Sequence, residues 1–280
     1  METFQAAGIL EILKEGGAIP LTPRRPTVRP ARVGESVPAY FVTTPASQPD
    51  LTFLFLHGGG FTGGSTAGHI DLCAGLADAA RAEVFSIDYR LAPEHPFPAA
   101  VEDSLAAYSY LLRMGRSPAG IVPVGISAGG TLVLSMLLAA RDAGVAMPAA
   151  AVALSPAVDM LFLGESVLSH QETDWLTPEH LTGILEDYIA GHDPADPLAS
   201  PLYADLRGLP PLLVQAGGAE ILIDGIEAFV SAAERQGVSV TFDCVEGMFH
   251  CWQLFAGILP EGAAAVERAG AFVRRWVPGE

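Results

Sequence analysis

Residues Gly125-Ile126-Ser127-Ala128-Gly129-Gly130 directly follow the apolar run Ile121-Val122-Pro123-Val124. A serine framed by glycines at that junction predicts a strand that turns sharply into a helix. At so tight a turn, side chains on the flanking positions would meet neighbouring backbone. The strain lifts the Ser127 hydroxyl above the sheet edge, where a base and a substrate can both reach it. A chain organised around such a turn belongs to the α/β class.

The rest of the chain has the rhythm that class requires. Short apolar runs predict strands at Val37–Val42, Leu51–Leu56, Val84–Ile87, Ile121–Ile126, Ala151–Leu154, Leu212–Gln215 and Val238–Val245. Apolar residues at helical spacing predict helices over Phe4–Leu13, Ile70–Arg81, Pro98–Met114, Ala128–Ala143, Ile221–Gln236 and Ala263–Trp276. Alternation of this kind implies a mostly parallel sheet covered on both faces. Pro20–Pro30, rich in proline and arginine, reads as an extended loop. The stretch Phe162–Pro197 breaks the alternation, with helical pieces over Thr177–Ala190 and no strand, as an inserted cap would.

Composition narrows the function. The 280 residues are half hydrophobic, enough for one large domain with a substantial core, and no linker or repeat divides them. Fifteen basic residues stand against thirty-two acidic ones, a net charge of −17 that repels nucleic acid and anionic membranes. No apolar stretch is long enough to span a membrane, and the acidic residues near the start do not suit a signal peptide. Cys73, Cys244 and Cys251 fit neither a disulfide framework nor a metal site, which points to a reducing compartment, the cytoplasm.

A nucleophilic serine needs partners. His57-Gly58-Gly59-Gly60-Phe61 closes the Leu51–Leu56 strand, and a glycine run lets backbone N–H groups approach a developing oxyanion. Alone, such a run could be a flexible loop or a phosphate-binding turn; paired with Gly-x-Ser-x-Gly it points to acyl transfer. Of seven histidines, His250 lies just after the last predicted strand and follows Ser127 in chain order, so it is the candidate base. Glu220 and Asp224 follow the Leu212–Gln215 strand, and either could instead be a helix N-terminal charge. Glu220, nearer the strand end, is the preferred acid. Phe61, Trp175, Tyr188, Met248 and Phe249 are apolar candidates for the pocket lining, with ordinary packing the alternative for each.

Together these segments resemble the bacterial hormone-sensitive-lipase family of α/β-hydrolase esterases. The resemblance runs through His57–Phe61, Asp88-Tyr89-Arg90-Leu91-Ala92-Pro93-Glu94-His95, Pro98-Ala99 and Asp103, and Ser155-Pro156-Ala157-Val158-Asp159. It continues through Ser200-Pro201-Leu202-Tyr203 and Gly208-Leu209-Pro210-Pro211. It implies an α/β-hydrolase fold: a single domain over 1–280, a central, mostly parallel eight-stranded sheet, and small cap elements near 1–25 and 160–197. It implies Ser127 as nucleophile, His250 as base, Glu220 as acid, and the N–H groups of Gly59, Gly60 and Ala128 as oxyanion donors. The glutamate is similar to a branch that includes monoterpene lactone hydrolases. Family members often dimerise, so a homodimer is a further expectation.

Two departures stand out. Ile126 occupies a position where the family usually has aspartate, which removes a polar anchor beside the serine. Cys251, directly after the base, replaces a small residue and reads as a packed thiol. The expected activity is hydrolysis of short- to medium-chain esters through an acyl-enzyme, with no metal or cofactor. A lactonase, amidase or acyltransferase would use the same triad, and a non-catalytic receptor on this fold is the competing class.

Overall fold

The apolar runs become strands because a sheet buried on both faces needs no polar alternation. In a computed structural model that describes residues 5–15 and 25–277, the strands are β1 (Thr27–Val33), β2 (Val37–Thr43), β3 (Gln48–Leu56), β4 (Ala82–Ile87), β5 (Ile121–Ile126), β6 (Ala151–Leu154), β7 (Leu212–Gly217) and β8 (Val240–Val245). They form one sheet in the order β1-β2-β4-β3-β5-β6-β7-β8. Only β2 runs against its neighbours; every pair from β4 to β8 is parallel. The chain therefore has the α/β-hydrolase architecture that its sequence implies.

The helices are α1 (Ala6–Lys14), α2 (Ile70–Ala80), α3 (Ala99–Arg113), α4 (Ala128–Asp142), α5 (Ser166–Ser169), α6 (Pro178–Ile184), α7 (Ile223–Arg235) and α8 (Pro260–Trp276). Successive residues of a strand point to opposite faces, and β3 divides its side chains accordingly. Leu54 and Leu56 join a core with Leu111 of α3, Leu132 of α4 and Phe229 of α7. Phe53 and Phe55 join a second core with Leu76 of α2 and Phe272 of α8. A third cluster holds Ile9 of α1 with Met248, Phe249 and Trp252, just beyond β8.

The stretch read as a loop is in part a strand. Residues 16–24 lie outside the described residues, but β1 begins at Thr27. It lies at the sheet edge beside β2 alone, and its first four residues are exposed. An edge strand tolerates Pro30, whose missing N–H would break a central ladder. The Arg29 guanidinium lies 4.2 Å from the centre of the Phe41 ring, covering apolar surface that the sheet leaves bare. Proline and arginine hid this strand because neither follows the alternation of a buried one.

The cap interval contains α5 and α6, and α6 continues into a wider turn over Leu185–Ile189. Thr177 caps α6 reciprocally with His180. Among the described residues no helix is long and apolar enough to cross a membrane.

Helices α2 and α8 touch where neither has bulk. A Cβ on Gly270 would stand 2.6 Å from the carbonyl carbon and oxygen of Ala79. Gly270→Val is expected to wedge the two helices apart and lower stability by about 1–3 kcal/mol. Denaturant unfolding would read this, and kcat per folded molecule would stay at the wild-type level.

Candidate active site

The turn after β5 is as tight as the sequence requires. Ser127 has φ 54° and ψ −123°, a left-handed backbone that a side chain adopts only under strain. A Cβ on Gly125 would collide with the carbonyl of Gly129, and one on Gly129 with the carbonyls of Leu56 and His57. The glycines thus let the start of α4 press against the end of β3. Ser127 Oγ then lies 2.8 Å from His250 Nε2.

His250 and Glu220 reach the serine from the ends of β8 and β7. His250 Nδ1 donates to Glu220 Oε2 at 3.0 Å, and the Gly217 N–H donates to Glu220 Oε1 at 3.2 Å. Both residues are buried. Asp224 lies within the first turn of α7 and accepts from the Ser166 N–H instead, so it bonds to α5 and not to His250.

Burial pushes the Glu220 carboxyl up, against the pull of His250, and the nearby Asp174 carboxylate adds to the upward push. Burial pushes the His250 imidazole down, but contacts of its ring with Cys251 and the Glu220 carboxylate outweigh it and raise it well above 6.5. Burial also pushes the Cys251 thiol up, against the pull of His250.

The glycine loop is held from beneath by polar side chains. The Gly58 N–H donates to His69 Nε2 at 3.2 Å, and His69 Nδ1 donates to the Ser65 carbonyl at 3.0 Å. The Tyr89 hydroxyl donates to the His57 carbonyl at 2.8 Å, and the two rings stack. Burial lowers the pKa of His69, and that of His57 to about 4, so both rings are neutral at physiological pH. Gly59, at φ 127°, allows the close turn over Gly63 that aims the loop. Asp88 accepts from the Thr66 N–H and hydroxyl, and Arg90 forks onto Asp103. The Asp88–Arg90 segment is therefore a brace for the loop.

A cavity of about 360 Å³ opens over these groups, lined by Gly59, Gly60, Ser127, Ala128 and His250. Phe61 and Trp175 line it, as the sequence suggests. Tyr188, Met248 and Phe249 do not, which corrects that reading. Tyr188 is buried behind Phe61, their rings stacked at 3.7 Å. Met248 and Phe249 turn into the cluster around Trp252, because the loop after β8 has to seal the sheet end as well as carry the base.

Sequence reasoning missed most of the apolar wall. Leu176, Leu181, Ile184, Leu222 and Leu254 complete it. The spacing of Leu181 and Ile184 on one side of α6 was the available signal. Ile126 is fully buried among Val122, Val124 and Cys251 and also borders the cavity. Where an acid would have needed a partner, this chain has an apolar floor. Asp174 was missed outright, since nothing in the residues around it marks it.

A family model described as alpha/beta hydrolase fold matches residues 53–254. The chain belongs to this family of α/β-hydrolase-fold proteins. Within it, the chain is a member of the bacterial hormone-sensitive-lipase group of esterases. It is 46% identical over 231 residues to an acetyl-hydrolase of Streptomyces hygroscopicus, a match spanning 82% of this chain and 77% of that protein. It is 36% identical to an esterase of Acinetobacter venetianus over 90% of this chain and 84% of the relative. Among solved structures, an esterase described as from the bacterial hormone-sensitive lipase family superposes with a TM-score of 0.89 at 42% identity, over 99% of this chain and 93% of the other.

A base must be neutral to take a proton, and the Glu220–His250 pair titrates as a unit. Because His250 is raised, kcat/KM is expected to fall as pH drops through a midpoint above 6.5. A pH–rate profile checks this; a midpoint below that value contradicts it.

Proposed function

We propose that Ser127, His250 and Glu220 form the triad through which this carboxylic ester hydrolase works. The observation that carries the reading is the unbroken hydrogen-bonded chain from Ser127 Oγ to His250 to Glu220 at the floor of a cavity bordered by Gly59, Gly60 and Ala128.

His250 Nε2 takes the Ser127 proton as Oγ attacks the ester carbonyl carbon. The carbonyl oxygen becomes an oxyanion held by the N–H groups of Gly59, Gly60 and Ala128. Ala128 is the first residue of α4, so its N–H has no acceptor within the helix and adds the positive end of the helix dipole. The imidazolium gives its proton to the departing alkoxide, leaving an acyl-Ser127. Water, deprotonated by His250, attacks the acyl carbon and releases the carboxylic acid. Glu220 keeps the Nδ1 proton in place and stabilises the imidazolium in both halves.

The substrates are esters with short to medium acyl chains. The cavity volume falls near the lower end for small-molecule sites, on the order of 300–1,000 Å³. A related esterase, EstE5, was crystallised and soaked with p-nitrophenyl butyrate; it is 36% identical, with a TM-score of 0.92, and covers 98% of this chain. The segment 160–197, with α1, acts as the cap of a single domain. The three free cysteines support a cytoplasmic location.

Ser127→Ala is expected to lower kcat by at least about 10³-fold, to the level that binding and the oxyanion donors alone sustain. Glu220→Ala is expected to cost about 10²–10⁴-fold, with Asp224→Ala close to wild type. Loss of activity in Asp224→Ala with retention in Glu220→Ala would overturn the acid assignment. In a p-nitrophenyl ester series, kcat/KM is expected to peak at short to medium acyl chains; a steady rise toward long chains would contradict the substrate reading.

A further inference from the structure

The cap makes a second contribution to the site, from two residues that belong to no triad. Asp174 is fully buried, and no basic side chain pairs with it among the described residues. Burying a carboxylate is costly unless hydrogen bonds replace its water. Here backbone N–H groups replace it. Asp174 Oδ1 accepts from the His250 N–H at 3.0 Å and from the Trp175 N–H at 2.8 Å. Oδ2 accepts from the Ile221 N–H at 2.9 Å, one residue after Glu220. One carboxylate thus spans the loop that carries the acid and the loop that carries the base.

The next residue closes the arrangement. Trp175 Nε1 donates to the His250 carbonyl at 2.7 Å. The main chain of His250 is therefore gripped at both ends, its N–H by Asp174 and its carbonyl by Trp175. The need for a grip is local. Cys251, directly after His250, has φ 63° and ψ 30°, a left-handed conformation without the freedom of glycine. Its N–H finds only a long bond, 3.4 Å, to Ser155 Oγ. Beside this strained residue, the His250 main chain is held by cap hydrogen bonds on both sides of its Cα. The ring of Trp175 also borders the cavity, so whatever fills the cavity presses on the side chain that holds the base.

We propose that Asp174 and Trp175 are positioning residues for this reaction: a cap dipeptide that fixes the main chain of His250 and, through Ile221, its register with Glu220. The proposal rests on His250 being the base. It assigns the cap a catalytic consequence as well as a lining one.

The test uses the purified full chain. Active enzyme is counted by stoichiometric phosphonylation of Ser127, so that loss of folded protein does not pass for loss of rate. Asp174→Asn keeps the shape but places an amide donor against one of the N–H groups. It is expected to lower kcat per titrated site by about 100-fold while KM stays within about 3-fold, as a small misplacement of a reacting group does. Trp175→Phe removes only the Nε1 donor among the polar groups and keeps an aromatic ring; about a 10-fold loss in kcat is expected. In the same variants the low-field proton resonance of His250 Nδ1–H is expected to shift or broaden. Asp224→Asn is the control, because Asp224 ties the cap to α7 through the Ser166 N–H without touching His250. It is expected to lower Tm and leave kcat per titrated site unchanged. If Asp174→Asn and Trp175→Phe behave like this control, with Tm reduced, kcat per site intact and the proton resonance unmoved, the cap tie is purely structural and the proposal is overturned. Should Asp174→Asn fail to fold, Trp175→Phe decides by itself. Turnover surviving in His250→Ala would mean a different failure: the base assignment itself, and the proposal with it.

Discussion

A serine backbone at φ 54° and ψ −123° costs about 1–3 kcal/mol and persists only where its surroundings leave it no alternative. In this chain the surroundings are the centre of the sheet. The Ser127 N–H donates to the Leu154 carbonyl at the end of β6, and α4, almost wholly buried, presses Gly129 onto the end of β3. Moving Ser127 out of its strained conformation would require moving three central strands and the helix packed on one face of them. The strain is thereby borne by a deeply buried part of the molecule, and the other candidate site groups are built outward from it on loops.

Those loops divide their work unequally. The glycine loop and the acid loop leave strands β3 and β7, which are buried along their functional ends, so their direction is set by the sheet. The loop that carries His250 leaves β8, an edge strand that is only half buried. It has the weakest support from the sheet, and this loop is where cap residues supply hydrogen bonds. The motif segments that carry no chemistry fit the same view. Asp159 and the hydroxyl of Ser200 tie the chain after β6 to the Ser200–Tyr203 turn, through Tyr203 Oη on Asp159 and the Met160 N–H on Ser200. They set the base of the cap and so where Asp174 and Trp175 arrive.

The order of helices and strands was legible because burial on two faces writes continuous apolar runs, and because the elbow allows one local geometry. The convergence of Ser127, His250 and Glu220 could be read from their places after strands β5, β8 and β7. The rest was hidden for particular reasons. β1 carries Pro30 and Arg29, and an exposed edge imposes no apolar pattern. Tyr188 and Phe249 are aromatic residues near the site in the chain, but composition does not say whether a ring faces a cavity or the layer behind it. Asp174 acts through backbone N–H groups distant in sequence, and a main-chain partner leaves no trace in residue type.

The two neutral imidazoles under the glycine loop have a consequence for how the site meets its charged intermediate. With His57 and His69 uncharged, these rings add no net charge beneath the loop, and the proposed oxyanion meets peptide dipoles and the His250 imidazolium. A dipole's field falls off faster with distance than that of a net charge, and mobile ions have less to screen at the floor of an apolar cavity. The molecule can carry seventeen excess negative charges without its surface field weakening the stabilisation of a transient anion at its centre.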